Sequence, residues 1–149
     1  MEKLHISLIF SKLEATKPIV YIITRMHNFI VKFGKILDIF KKFAGNRVND
    51  LGNMPRRGVV PKFSDLEVLA LSATAEVFGI DSENYLFHRL KNECPDRFPN
   101  LITRRQYNQR RKLTYSLGEE IRKDIVSAMD GGEDVFSIDS KPIKVCQNT

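Results

Sequence analysis

Residues 63–79 read FSDLEVLALSATAEVFG, a helix with both of its ends written into it. The Ser64 hydroxyl can accept from a first-turn N–H while the Glu67 carboxylate reaches back, which is a capping box. Asp65 and Glu67 also suit the positive end of the helix dipole. Leu66, Leu69, Ala70, Ala73 and Val77 recur at helical spacing and form the expected buried face. Gly79 can take the left-handed conformation that ends such a helix.

Downstream, a second short helix is expected at about 82–93, stopping before Pro95, with Leu86 and Leu90 pointing inward. Residues 94–102 (CPDRFPNLI) form a loop held by two prolines. Thr103 begins a third helix, with Gln106 at the reciprocal capping position. It is expected to run to about Met129, burying Leu113, Leu117, Ile121, Ile125 and Met129, and to end at Gly131-Gly132. Residues 134–139 (DVFSID) read as a strand entering a core. Ser140-Lys141-Pro142 signals a turn, and Ile143-Lys144-Val145 starts a paired strand.

Upstream, Ile19, Ile22, Met26, Phe29, Phe33, Ile36, Phe40 and Phe43 follow alternating steps of three and four, one stripe of a long helix over 19–43. Lys17, Lys32, Lys35, Lys41 and Lys42 lie off that stripe, and Pro18 fits the first turn. The stripe packs on its own domain, serves self-association as a homo-oligomer through residues 19–43, or lies on a membrane surface. Residues 45–62 (GNRVNDLGNMPRRGVVPK) read as an exposed loop with a basic spot at Arg56 and Arg57. The organisation expected is a helical region over 1–45, a linker over 46–62, a helical region over 63–131 and a further start over 132–149. The fold class is mainly α.

The 149 residues are 42% hydrophobic, which suits a packed domain and argues against a disordered chain. A formal net charge of +6 points to a polyanionic partner, nucleic acid or an anionic membrane surface. The charge is uneven: residues 1–63 carry 12 basic and 4 acidic side chains, whereas 64–102 carry 3 and 7. Cys94 and Cys146 are far apart without CxxC spacing, so neither a disulfide framework nor a zinc site is expected, and a reducing cytoplasm fits. Lys17, Arg25 and Lys32 interrupt the most apolar region, so no membrane span is expected. Ile6–Phe10 is too short for a signal peptide.

Two features could carry chemistry. The opening of the third helix, RRQYNQRRK, places Arg104, Arg105, Arg110, Arg111 and Lys112 within nine residues. These cations can meet phosphates, with Tyr107 and Asn108 available for base or sugar contact. The same residues can instead form a solvated face with internal ion pairs to the acidic 64–102 segment. Helices at 65–78 and 82–93 around Gly79 have the outline of a helix-turn-helix, although ENYLFHRLKNE is not strongly basic. The second feature is Asp139, at the end of the expected strand. It reads either as a turn-capping Asp or as a ligand for Mg²⁺, whose hard-oxygen preference suits phosphoryl-transfer sites built from carboxylates.

Four blocks in order carry a resemblance: Phe63–Leu71, then Phe87-His88-Arg89-Leu90, then Arg105–Arg111, then Phe136-Ser137-Ile138-Asp139-Ser140-Lys141-Pro142-Ile143. Over about residues 15–149 the chain resembles the N-terminal part of bacterial insertion-sequence transposases of the DDE class. The resemblance implies a helical bundle that binds the DNA ends of the element. It also implies the first one or two strands of an incomplete RNase H-like α/β domain at 132–149. Asp139 then becomes the first catalytic carboxylate and a Mg²⁺ ligand. The second Asp and the Glu of such a site would come from beyond Thr149, so the chain is expected to be catalytically incomplete by itself. Two other functions compete, a stand-alone DNA-binding regulator and a helical interaction protein.

Overall fold

The computed structural model describes residues 25–129. The chain is helical over 25–44 (α1), then over Asp65–Val77 (α2), Glu83–Glu93 (α3), Arg104–Leu113 (α4) and Tyr115–Met129 (α5). Single 3₁₀ turns lie at Gly45–Arg47 and Pro95–Arg97. No strand occurs among the described residues, so the mainly α class stands. The expected strands at 134–139 and 143–145, together with Asp139, lie outside the described residues, as do Lys17, Pro18, Ile19 and Ile22.

The capping box of α2 forms as expected. Ser64 Oγ accepts from Glu67 N at 3.2 Å, and Glu67 Oε2 accepts from Ser64 N at 2.6 Å. The other end closes with Gly79 at φ 64°. Gly79 N donates to Glu76 O at 3.0 Å and Ile80 N to Ala75 O at 2.8 Å, the paired bonds of a Schellman stop. Ala75 is buried and Ile80 packs against the same cluster, which supplies the apolar contact that accompanies this motif.

α2 is the central helix. Val68, Ala70, Leu71 and Ala75 join a cluster with Met26, Phe29 and Phe33 of α1, Leu86, Phe87 and Leu90 of α3, and Tyr107 of α4. Leu66 and Leu69 join a second cluster with Ala44, Leu117 and Ile121. Because α2 is covered on several sides, its buried set is broader than a single stripe. Ala73 is half-buried and Val77, expected inside, is 60% exposed at the end of the last turn. Aromatic pairs knit the first cluster: Phe29 with Phe78, Phe33 with Phe98, and Phe87 with Tyr107, at centroid distances of 5.3, 5.1 and 5.2 Å. Each such pair contributes about 0.5–1.5 kcal/mol beyond its area burial.

The α1 stripe packs within this domain. Met26, Phe29 and Phe33 are buried, and Ile36, Phe40 and Phe43 pack at the edges of the two clusters. Segment 46–62 therefore runs between helices that share one core. It is also folded down at its base. Asn49 Oδ1 accepts from Asn53 N, buried Asn53 Oδ1 accepts from Asp65 N, and Gly52 O accepts from Leu66 N.

The expected third helix is divided at Thr114, whose φ of −92° and ψ of 1° leave the helical region. Its buried hydroxyl donates to Arg110 O at 2.9 Å, the back-bonding that bends helices. Leu117 and Ile121 are buried and Ile125 packs beside them, as expected. Leu113 and Met129 are not inside: they are 69% and 80% exposed. A strict four-residue row turns by roughly 40° per step, so its ends leave the face that its middle occupies. The inward row is instead Tyr107, Arg110, Thr114, Leu117 and Ile121, in steps of three and four. Two of its five members are polar.

Candidate nucleic-acid interface

α4 begins at Thr103, whose Oγ1 accepts from Gln106 N at 3.2 Å while Gln106 Oε1 accepts from Thr103 N at 3.0 Å. Its ten residues, RRQYNQRRKL, contain five cations and no carboxylate. The fold sorts these cations into different environments.

Arg110 faces inward. Its side chain is only 12% exposed, Nη2 lies 2.7 Å from Asp65 Oδ1, and Nη1 donates to Phe63 O. Asp65 is fully buried and also accepts from Arg56 and from Met54 N, the latter at 2.9 Å. Burial alone would push the Asp65 pKa up. Hydrogen bonds from Arg110, Arg56 and the Met54 N–H outweigh that and hold it below the ordinary carboxylate value. The carboxylate thus joins α2, α4 and the loop before α2. Of the basic spot expected at Arg56 and Arg57, Arg56 is committed to this ion pair while Arg57 is exposed.

Tyr107 is not available for a base or sugar contact. Its ring is 1% exposed and packs on Phe87. Asn108 Nδ2 donates to both oxygens of Glu83, at 2.9 and 3.2 Å. Arg111 Nη2 lies 3.3 Å from Glu83 Oε1, with 44% of the side chain still exposed. The internal pairing to the acidic segment therefore accounts for Arg110, Asn108 and part of Arg111.

Arg104, Arg105 and Lys112 remain exposed, and none forms an ion pair among the described residues. Arg105 and Lys112 lie on one side of α4 together with exposed Gln109, at steps of four and three. That side is roughly opposite the buried Tyr107–Arg110 side. Beside it opens a cleft of about 520 Å³ lined by Lys62, Asn100, Gln106, Gln109 and Arg110 among others. Gln109 was not among the residues singled out by charge. Its signal lay in the spacing from Arg105 and Lys112, which acquires meaning once the inward side of α4 is known.

Asp139 lies outside the described residues. Among those described, no group of three His, Cys, Asp or Glu side chains could hold a metal ion. No described helix is long and apolar enough to cross a membrane. No family model, curated protein or solved structure matches the chain.

Proposed function

We propose that the described helices form the DNA-binding part of an insertion-sequence transposase of the DDE class. In this reading the partner is the terminal DNA of the element, and Asp139 is the first Mg²⁺ ligand of the catalytic domain. The order of the four sequence blocks and the excess of basic residues support it. The observation that carries the DNA-binding half is α4, a helix without carboxylates whose outer side exposes Arg105 and Lys112 and whose first turn exposes Arg104. Its inner side is held by buried Tyr107 and by the Arg110–Asp65 pair. A helix so anchored presents cations at fixed spacing, which suits contact with a phosphate backbone.

Phosphate contacts release counterions, so binding should weaken steeply with salt. The test is a KCl titration of duplex DNA binding by the full chain. Three or four neutralised phosphates give a log–log slope of roughly −2.7 to −3.6. Arg104→Ala, Arg105→Ala and Lys112→Ala should each reduce that slope by about one. A flat salt dependence removes the reading.

A further inference from the structure

α4 carries three amide side chains, Gln106, Asn108 and Gln109, and the fold commits two of them. Gln106 Oε1 accepts from the Thr103 N–H at 3.0 Å to complete the helix cap. Asn108 Nδ2 is spent on Glu83. Gln109 is exposed and has no hydrogen-bond partner among the described residues. It stands between Arg105 one turn before and Lys112 one turn after, on the side of α4 away from the core. The two cations are separated by about 10 Å along the helix axis. On one flank, Lys62 and Asn100 line the cleft that Gln109 borders.

This resting on the DNA-binding reading above, we infer that α4 enters the major groove and that Gln109 reads a base edge there. The groove, roughly 12 Å wide, admits one helix with its side chains. A glutamine amide offers one donor and one acceptor side by side, the complement of adenine N7 and N6–H₂. Arg105, Lys112 and Lys62 would sit at the phosphates bordering that base pair and set the register of the helix. The proposed occupant is duplex DNA because the exposed side of α4 bears cations and no acid.

The experiment is enrichment of random-sequence duplexes by the full chain at low ionic strength, for the wild type, Gln109→Ala and Arg105→Ala. The wild type is expected to enrich a consensus containing a preferred adenine. Gln109→Ala should lose that preference by roughly tenfold at one position, with affinity for unselected duplex held within about twofold. Arg105→Ala should weaken all sequences together and keep the consensus. Alanine at an exposed helical position keeps the helix, and a circular dichroism melt checks this. An unchanged consensus in Gln109→Ala overturns the inference. So does a wild type that binds duplex without enriching any consensus, while the DNA-binding reading survives. Failure of the wild type to bind duplex at all removes that reading itself, so the two failures are distinguishable.

Discussion

Arg110 Nη2 lies 2.7 Å from Asp65 Oδ1 across 45 residues of chain, in a site where the carboxylate has no exposure. One arginine of a run that looks uniformly cationic thus belongs to the interior. Replacing such a pair by well-packed apolar residues is often neutral, whereas removing one partner strands a buried charge. Arg110→Ala should therefore destabilise by about 3 kcal/mol, softened where Arg56 takes up the charge. Arg111→Ala, with its partially exposed pair, should cost no more than about 1 kcal/mol. Thermal melts of the two variants should separate by about 10 °C, and equal melting temperatures would contradict this division of labour.

The same carboxylate sets an acid limit. Asp65 has a folded pKa below its unfolded value of about 3.9. The stabilisation it supplies is present above that unfolded value and is lost as pH falls through it toward the folded one. Asp65→Asn should be less stable than the wild type at pH 7. The gap should narrow as pH drops below about 4. Urea unfolding at several pH values measures it, and a gap that widens toward acid would show the sign to be wrong.

Gly79 should disfavour a side chain for backbone reasons alone. A Cβ there meets nothing within 4 Å, yet φ is +64°. Gly79→Ala should cost about 1 kcal/mol, seen as a melting temperature lower by about 5 °C. Gly79→Asn should recover part of it, since Asn visits this region more readily.

Gly118 of α5 is limited by packing instead. A Cβ at this position would come within 3.0 Å of Leu69 Cδ2 on α2. Alanine gains about 1 kcal/mol of helix propensity, which the displaced end of Leu69 offsets, so Gly118→Ala should be near neutral. Gly118→Val cannot be accommodated that way and should lose about 1–3 kcal/mol. Chemical denaturation of both variants checks the contrast.

Much of the helical plan was legible from residues 63–129, because caps and stops are local chemistry. Ser64 with Glu67, Thr103 with Gln106, and Gly79 act where they stand in the chain, and each forms as its neighbours require. The stripe of α1 was legible for the same reason, since Met26, Phe29 and Phe33 announce their side by spacing. What escaped was the identity of polar residues that turn inward. Arg110 and Thr114 occupy the buried row of the third helical segment, and an apolar pattern passes over both in favour of Leu113. Asp65 looked sufficient as a dipole partner, because nothing near it in sequence names an arginine 45 positions away. The candidate site changed accordingly. Charge spacing gave the helix, but only tertiary pairing separates Arg105 and Lys112 from Arg110.

The loop before α2 is pinned at Asn49, Asn53 and Asp65 while its tip runs outward, with Val59 92% exposed. Since α1 shares its core with α2 and α3 across that loop, a protease cut at Val59 would sever the backbone without separating the halves. The nicked chain should migrate as one species in a native gel and as two under denaturing conditions. Co-expressed fragments divided at this point should find each other and fold together, which makes the tip of the loop a natural place to split the protein or to insert a reporter.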